Sequence, residues 1–387
     1  MPKKPKKGNH RGNLDGPDVA FFRKRVLAWY QREGRKLPWR QIRDPYSIWV
    51  SEVMLQQTQV ATVLPYYQRF VKALPTVETL AHAPLQRVLK LWEGLGYYAR
   101  ARNLHRAAQQ IIKRWNGKLP SNPAQLQTLP GVGRSTAGAI ASLAFGKRAP
   151  ILDGNLRRLF TRILAIESPL DNPSVQQQLW AFSERILPRE EVARFNQALM
   201  DLGATICTPR QPDCLLCPVR DLCRAFHLGI QGIIPTGTHR KELPHRHMVV
   251  AIILRDGRLL ITKRAEEGLL GGLWGLPEVP FSNRSSHPQI KQELLDLWGV
   301  GVNNIQSLES LDHSFTHFRM TYHPMLCHYV SGMLGGAVVF RWVSPQELSE
   351  FPFSSAMRKI LTRLPSFEIS YQELAEQHSL AAEYTTI

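Results

Sequence analysis

The chain has 387 residues, and its 49 lysines and arginines outnumber its 31 aspartates and glutamates, which gives a formal charge of +18. At roughly 150 residues per domain this length predicts two domains, and 43% hydrophobic residues exclude a wholly disordered chain. No apolar run is long enough for a membrane helix and the lysine-rich N-terminus lacks an apolar stretch, so we expect neither a membrane anchor nor a secretory signal. The basic charge favours a polyanionic partner such as nucleic acid over a surface that only aids solubility.

Residues 19–225 are predicted to be mostly helical, because apolar residues recur there at three- and four-residue spacing. The predicted helices are Val19–Glu33, Ile48–Ala73, Leu85–Leu91, Arg100–Trp115, Thr136–Ala144, Leu156–Ile166 and Val175–Leu187. Residues 1–18 are predicted to be a disordered basic tail. Residues 226–246 are rich in Gly, Pro, His and cations, which indicates a linker.

Beyond the linker, residues 247–365 are predicted to form a small α+β domain, followed by a tail over 366–387. Strands Met248–Leu254 and Arg258–Lys263 flank Asp256-Gly257, a favourable hairpin turn. A helix over Pro288–Trp298, strands near 316–330 and 337–343, and a helix over 345–362 complete the predicted domain.

Four of the five cysteines lie within seventeen residues, in the spacing C-x6-C-x2-C-x5-C. They are Cys207, Cys214, Cys217 and Cys223. This clustering indicates a metal site in a reducing compartment rather than a disulfide framework. Structural zinc usually takes two tight pairs of ligands, whereas four unevenly spaced thiolates suit an iron–sulfur cluster, so the spacing favours iron–sulfur and leaves zinc open.

The segment LPGVGRST, residues 129–136, lies between two predicted helices. Gly131 and Gly133 permit a tight turn around Val132, and the backbone N–H groups of such a turn and of the next helix can hold a phosphate oxygen. In a basic helical domain this hairpin is a candidate for sequence-independent contact with the DNA backbone.

Two carboxylates, Glu52 and Asp153, are candidate functional residues because of their neighbours in the sequence. Asp153 lies in ILDGN, and Glu52 lies among the apolar residues of WVSEVML. Taken singly, Asp153 is typical of a helix N-cap or turn, and Glu52 is typical of a charge at the edge of the exposed face of a helix.

In combination, the cysteine spacing, LPGVGRSTAGAI followed by LDGN, and WVSEVMLQQTQV resemble the endonuclease III superfamily of DNA base-excision glycosylases. Within it, the chain resembles the adenine DNA glycosylases of the MutY type from about residue 19 to its C-terminus. The resemblance implies an all-α helix-hairpin-helix glycosylase domain with an iron–sulfur loop, followed by a small α+β Nudix-like domain. The bifunctional branch carries a lysine nucleophile where this chain has Ser135, so no efficient lyase is expected.

The family removes adenine mispaired with 8-oxoguanine or guanine, and the adenosine must first be flipped out of the duplex. The resemblance implies that Glu52 protonates adenine N7, which requires a raised pKa. It also implies that Asp153 stays ionised and stabilises the oxocarbenium sugar, that Asn155 holds this geometry, and that Ser135 lies near the sugar. This is the two-carboxylate logic of glycoside cleavage.

The resemblance assigns further residues to the DNA. Gln57 and Tyr97 are expected to wedge into the base stack, with core packing as the alternative for Tyr97 and its aromatic neighbours. Residues expected to line the adenine pocket are Arg35, Trp39, Arg40, Leu55 and Gln197. The expected cofactor is a 4Fe-4S cluster that holds a basic loop against the DNA backbone, with Arg210, Arg220 and Arg224 as candidate cations.

The Nudix-like domain keeps Gly272-x5-Glu278 from the Nudix signature, but its helix has Gln292 and Leu297 where the signature has arginine and a metal-binding glutamate. We therefore expect no diphosphate hydrolysis. Phe315, Thr316 and His317 lie where the family uses Phe-Ser-His to detect 8-oxoguanine. His245 and His247 are interpreted as linker and surface residues.

The expected protein is thus a monomer that acts on double-stranded DNA containing adenine opposite 8-oxoguanine or guanine. We expect it in the cytoplasm of a bacterium, at the nucleoid, or in the nucleus of a eukaryote. The alternatives are a bifunctional glycosylase/lyase for oxidised pyrimidines, a non-catalytic lesion sensor, and nucleotide hydrolysis by the second domain.

Overall fold

The computed structural model describes residues 17–236, 242–281, 286–332 and 339–364, with side chains from Val19 onward. The predicted C-terminal tail, the basic tail except the helical backbone at 17–18, and part of the predicted linker lie outside the described residues. The chain divides into two compact units, the first formed by residues 1–56 and 113–240 and the second by residues 57–112 and 241–387. The sequential domain bounds given above stay a prediction.

The helices of the described chain occur in both units. In chain order they are α1 (Pro17–Glu33), α2 (Pro45–Met54), α3 (Val60–Ala73), α4 (Val77–His82), α5 (Leu85–Leu91), α6 (Ala99–Trp115), α7 (Pro123–Leu126), α8 (Arg134–Phe145), α9 (Gly154–Leu164), α10 (Pro173–Ile186), α11 (Val192–Asp201), α12 (Arg224–His227), α13 (His287–Trp298) and α14 (Ser355–Leu361). In the ranges that the structure describes, no helix is both long and apolar enough to cross a membrane.

The single helix predicted over Ile48–Ala73 is wrong. The chain forms α2 and α3 instead, and Gln57 between them has a φ of +59°, a left-handed conformation that ends a right-handed helix. The helix predicted over 345–362 is also wrong, because a 3₁₀ turn at Gln346–Glu350 is separated from α14 by Pro352 and by a β-bridge from Phe353 to Trp274. Both predictions followed an apolar period that continues across a break in the backbone.

The core of the first unit forms around α1, α9, α10 and α11. Phe22 and Phe195 meet edge to face with ring centroids 6.3 Å apart, and Phe160 and Phe182 do so at 5.1 Å. All four rings are buried, and aromatic pairs of this geometry stabilise a core beyond the area that they bury. The core fixes α9, whose first turn carries residues of the candidate site.

The second unit contains a mixed β-sheet. Its described strands are β1 (His245–Arg255), β2 (Arg258–Lys263), β3 (Trp274–Gly275), β4 (Glu278–Pro280), β5 (Val300–Ser307), β6 (Leu311–Ser314), β7 (Arg319–Gly332) and β8 (Phe340–Val343). The order is β3-β2-β1-β7-β5, β1 and β7 run parallel, and β4, β6 and β8 pair with β1, β7 and β2. The predicted turn at Asp256-Gly257 is confirmed: both residues have positive φ and β1 pairs antiparallel with β2.

The sheet is apolar on both faces. Val250 and Ile252 of β1 belong to the core under α14, whereas Val249, Ala251 and Ile253 belong to the core under α13. The alternation follows from the two-residue period of a strand. The strand predicted near 316–330 begins only at Arg319 in the structure, because residues 315–318 form the turn between β6 and β7.

Gly138 in α8 has no room for a side chain, because a Cβ there would lie 2.2 Å from the carbonyl oxygen of Pro150. We expect Gly138→Ala to lower the free energy of unfolding by about 1–3 kcal/mol, the usual cost of overpacking. Urea unfolding followed by circular dichroism measures the change. Gly232→Ala is the matched control, since a Cβ there meets nothing within 4 Å. Equal stability of the two variants would show that α8 can shift freely.

Candidate active site

Glu52 and Asp153 lie in the first unit, on α2 and at the start of α9, and the charge of Asp153 acts on Glu52. Burial, as the larger cause, and the negative charge of Asp153 together raise the pKa of Glu52 to about 7, against the opposing effect of Arg40. A carboxyl group with such a pKa keeps its proton at neutral pH for much of the time. The side chain is only partly exposed to solvent.

Asp153 is the N-cap of α9, where its Oδ1 accepts a hydrogen bond from the backbone N–H of Leu156 at 2.8 Å. Burial raises the pKa of Asp153, and the backbone N–H groups of Leu156 and Asn155 and the charges of Arg158 and Arg157 oppose that rise. A helix N-terminus also favours a negative charge. Helix capping and a charged role in the site are therefore compatible for this residue.

Asp201, at the end of α11, is completely buried and binds two arginines. Arg40 donates from both Nη atoms to its two carboxylate oxygens at 2.7 and 2.9 Å, and Arg35 donates from Nε at 2.7 Å. Burial alone would raise the pKa of Asp201, but these bonds and charges lower it below its ordinary value. Asp201 thus holds Arg40 in the position from which Arg40 acts on Glu52.

Asp201 was not among the site residues predicted from the sequence. It is the last residue of α11 and one acid among many in the sequence, and only the fold shows that two distant arginines converge on it. Of the other predicted pocket residues, Trp39 is buried beside Arg40 in a 3₁₀ turn, and Leu55 is the C-cap of α2. The Oε1 of Gln197 accepts a hydrogen bond from Tyr30 at 2.8 Å.

Ser135 in α8 contacts the segment that leads into α9. Its Oγ accepts a hydrogen bond from the backbone N–H of Leu152 at 3.0 Å, one residue before Asp153. The residue therefore helps to fix Asp153 relative to the hairpin. Serine carries a hydroxyl and no amine, so this side chain cannot form a Schiff base with the sugar.

Asn155 connects the start of α9 to the cysteine loop through Arg158. Arg158 donates to Asn155 Oδ1 at 2.9 Å, to the carbonyl oxygen of Gly203 at 2.6 Å and to that of Cys207 at 2.7 Å. Gly203 lies in a π-helical turn, Leu202–Ile206, and a Cβ at Gly203 would come within 2.9 Å of the Asn155 side chain. π-Turns of this kind are frequent at functional sites.

The four clustered thiols come together around one cavity. Arg162, almost fully buried in α9, lines the cavity and donates to the carbonyl oxygens of Thr208, Pro209 and Ile234 at 2.6, 3.0 and 2.9 Å, and to Cys207 Sγ at 3.4 Å. Within the described chain no three Cys, His, Asp or Glu side chains stand close enough to hold one metal ion. The cysteines that line the cavity are Cys207, Cys214, Cys217 and Cys223.

The predicted glycine hairpin precedes α8. Gly131 has a φ of +76°, and Gly133 is the N-cap of α8 with no side chain to cap its first amides. Val132 between them is buried and anchors the turn, while Gln56 donates to the Gly131 carbonyl oxygen and to Thr136 Oγ1 at 3.3 and 3.1 Å. The exposed glycines leave this backbone accessible to a ligand.

Gln57 and Tyr97 belong to the second unit, and both have the left-handed backbone that non-glycine residues rarely adopt, with φ of +59° and +51°. Both side chains are exposed, Tyr97 by 46%. Core packing is therefore wrong for Tyr97 but correct for its neighbours Tyr98 and Trp92, which are buried.

Phe315, Thr316 and His317 form the turn between β6 and β7, closed by a hydrogen bond from the Phe315 N–H to the Phe318 carbonyl oxygen at 2.9 Å. Phe315 stacks on Phe318 at a centroid distance of 4.5 Å, so Thr316 and His317 project from the tip and are exposed. The Thr316 hydroxyl donates to the Tyr97 hydroxyl at 3.4 Å. The structure thus brings a predicted wedge residue and the predicted detection loop together.

Two of the carboxylates that remain from the Nudix signature have partners within the protein. Glu278 pairs with Arg264, and Asp296 accepts a hydrogen bond from Gln292 at 2.8 Å. His245 and His247 lie in β1 rather than in a linker, and their exposed rings lie with centroids 4.5 Å apart and planes tilted by 34°. None of the described histidines joins a metal-binding group.

The raised pKa of Glu52 predicts a stability change with pH. Between its ordinary pKa of 4.5 and the folded value of about 7, the folded state binds more protons than the unfolded state. The free energy of unfolding therefore falls as pH rises through this window. We expect Glu52→Gln, which cannot ionise, to be more stable than the parent by about 2–3 kcal/mol at pH 8, and by little at pH 4.

Urea unfolding at both pH values measures this difference. Glu184→Gln is the control, because Glu184 is exposed on α10 and should give the same small difference at both pH values. A Glu52→Gln effect independent of pH would show that Glu52 ionises normally in the folded protein.

Comparison with known proteins gives two domain matches and relatives that align with most of the chain. Residues 50–185 match the family of HhH-GPD superfamily base excision DNA repair proteins, and residues 248–363 match the NUDIX domain. The chain is 35% identical to the adenine DNA glycosylase of Homo sapiens over 89% of this chain and 74% of that protein. It is 36% identical to the adenine DNA glycosylase of Buchnera aphidicola, covering 79% of this chain and 86% of that protein.

Among solved structures, a thermostable thymine-DNA glycosylase superposes on 56% of this chain and on all of its own length, with 30% identity and a TM-score of 0.50. The expected fold, a helical glycosylase domain followed by a Nudix-like α+β domain, is thereby confirmed. The chain belongs to the adenine DNA glycosylases, base-excision repair enzymes that remove adenine from DNA by hydrolysing its N-glycosyl bond.

Proposed function

We propose that this enzyme excises adenine paired with 8-oxoguanine or guanine, as a monofunctional glycosylase and a monomer, with Glu52 as general acid and Asp153 as the ionised partner. The observation that carries the proposal is the pair itself: burial and the neighbouring Asp153 raise the pKa of Glu52 to about 7. Two titratable groups whose surroundings give them different protonation states are the usual arrangement for acid-assisted glycoside cleavage.

In the proposed reaction, adenosine is flipped into the site and Glu52 transfers its proton to N7 of adenine. The C1′–N9 bond then breaks, and its electron pair stays with the protonated, neutral leaving base. The ionised Asp153 stabilises the positive charge that develops on the sugar, and its helix N-cap bond favours this ionised form against the effect of burial, which raises its pKa. Water adds at C1′ and loses a proton to the Glu52 carboxylate, which leaves an abasic site and restores the enzyme.

The positioning residues support this assignment. Asp201 holds Arg40 beside Glu52, and Ser135 bonds the segment before Asp153. Because Ser135 supplies no amine, no Schiff base forms and the DNA strand stays intact. The exposed backbone at Gly131 and Gly133 is the proposed phosphate contact.

Recognition of the opposite base is proposed for the second unit. The exposed turn with Thr316 and His317 would contact 8-oxoguanine, and the exposed Tyr97 and Gln57 would fill the stack that the flipped adenosine leaves. The threonine hydroxyl is both a donor and an acceptor. It can therefore meet the edge by which 8-oxoguanine differs from guanine.

The excision assay tests the proposal. A duplex with adenine opposite 8-oxoguanine, incubated with excess enzyme, should yield an abasic site, with strand cleavage only after alkali. We expect Glu52→Gln and Asp153→Asn each to lower the single-turnover rate by about a hundredfold or more, the usual contribution of a positioned acid–base group. Glu184→Gln should keep the parental rate. Wild-type rates for Asp153→Asn would refute the mechanism, and binding without base release in the parent would indicate a lesion sensor.

A 4Fe-4S cluster is proposed for the cysteine cavity. The donor set fits the group: four thiols surround one cavity, and the buried Arg162 offers a positive charge to the sulfur of Cys207. When bound, the cluster supplies a structural cross-link of the loop, with iron–thiolate bonds to Cys207, Cys214, Cys217 and Cys223. Arg210, Arg220 and Arg224 are the proposed DNA-backbone cations of that loop.

Metal analysis of the purified protein tests the cluster. We expect about four iron atoms per chain with broad visible absorbance, because four thiolates ligate such a cluster. Cys217→Ser should lose both signals, whereas Cys327→Ala should keep them, since Cys327 is buried in the sheet of the second unit. Zinc in place of iron would contradict the proposal.

A further inference from the structure

The turn that carries Tyr97 is fastened to the C-terminal part of the second unit through Glu93. Glu93 Oε1 accepts hydrogen bonds from the Phe353 backbone N–H at 2.8 Å and from Arg358 Nε at 2.7 Å. Its Oε2 accepts from Arg358 Nη2 and from Lys90 Nζ, the latter at 2.7 Å. The side chain is only 12% exposed. A bidentate arginine pair that is largely shielded from water is among the stronger polar contacts in proteins.

The residues beside Glu93 make further bonds to the same segment. The Tyr98 hydroxyl donates to the Phe353 carbonyl oxygen at 3.2 Å and accepts from the Gly94 N–H at 3.2 Å. Lys90 donates to the Phe351 carbonyl oxygen at 3.2 Å. The turn is thus bonded to residues 351–358 on both sides of Tyr97.

The turn that carries Tyr97 has an irregular backbone. Gly94, Gly96 and Tyr97 all have positive φ, at +94°, +75° and +51°. A non-glycine residue in this region costs free energy and persists only where its surroundings hold it. The bonds of Glu93 and Tyr98 contribute to that constraint, together with hydrogen bonds to the Gly96 carbonyl oxygen from Trp92 Nε1 at 3.1 Å and from Arg100 Nη2 at 3.2 Å.

We propose that Glu93 is a positioning residue for recognition of the base opposite adenine. Glu93 fixes the turn that carries Tyr97 to the segment 353–358. That segment packs against the sheet that carries Thr316, so Glu93 sets the position of Tyr97 relative to Thr316. The proposal rests on the proposed function of Tyr97 and Thr316. No local pattern in the sequence indicates the role, because Glu93 and Arg358 are 265 residues apart.

The chemistry makes the position of these two hydroxyl groups decisive. 8-Oxoguanine differs from guanine by one carbonyl oxygen and one N–H, so discrimination depends on hydrogen bonds with narrow geometry. Loss of the Glu93 charge would remove the carboxylate that Arg358 and Lys90, both largely shielded, share. We expect these cations to shift toward water, and the turn to shift with them.

The test compares single-turnover excision of adenine opposite 8-oxoguanine with excision opposite guanine in the full-length enzyme. We expect Glu93→Gln to lower the ratio of the two rates by about fivefold to tenfold, the size of a coupling between residues that share contacts. Arg358→Lys, which keeps the charge but loses the bidentate bond, should lower it less. Glu78→Gln is the matched control, because Glu78 is exposed on α4 in the same unit and should leave the ratio unchanged.

A second measurement separates positioning from general destabilisation. Thr316→Ala is made in the parent and in the Glu93→Gln variant. We expect Thr316→Ala to lower the ratio of the two rates less in Glu93→Gln than in the parent, because Tyr97 and the Thr316 hydroxyl are already displaced relative to each other there. Additive effects, or equal losses on both substrates, would overturn the inference. A parent enzyme with no preference for 8-oxoguanine would instead refute the proposed function, which keeps the two failures distinct.

Discussion

Two carboxyl groups that share a shielded site cannot both carry a negative charge without a large electrostatic cost, and this constraint organises the first unit. The backbone amides at the start of α9 and the charges of Arg158 and Arg157 oppose the rise in the pKa of Asp153, whereas Arg40 opposes the rise in the pKa of Glu52. The proposed mechanism places the proton on Glu52. Arg40 lowers the pKa of Glu52, and the buried Asp201 fixes Arg40 by accepting hydrogen bonds from both of its Nη atoms.

Helix α9 transmits a second constraint. Asp153 caps its first turn, Arg158 projects from its middle, and Arg162 lies in its last turn. Arg158 and Arg162 both donate to carbonyl oxygens of the cysteine loop, so the loop and Asp153 are attached to one helix. A buried arginine that satisfies three carbonyl groups is stable only while those carbonyls stay in place. The cysteine loop must therefore be ordered for α9 and the candidate site at its start to be ordered.

The sequence alone predicted what depends on short-range patterns. Period-3.6 apolar residues located α1, α5, α6, α8, α9 and α10, the Asp-Gly turn located a hairpin, and the spacing of the cysteines indicated that their thiols gather around one site. It failed where a single backbone angle breaks a period, as at Gln57, and where a partner lies far along the chain. Asp201 pairs with Arg35 and Arg40, which are 166 and 161 residues away in the sequence, and Glu93 pairs with Arg358 across 265 residues. Such pairs form only in the packed fold, so a short stretch of sequence cannot reveal them.

The left-handed backbone at Gln57 and Tyr97 has a consequence for engineering. Glycine adopts this conformation without steric cost, so a redesign that ranks substitutions by folding free energy alone would favour glycine at both positions. The resulting protein would gain thermal tolerance and lose the two side chains that we propose to enter the base stack. Laboratory selection for heat resistance would in this way favour a durable form that lacks these proposed DNA contacts.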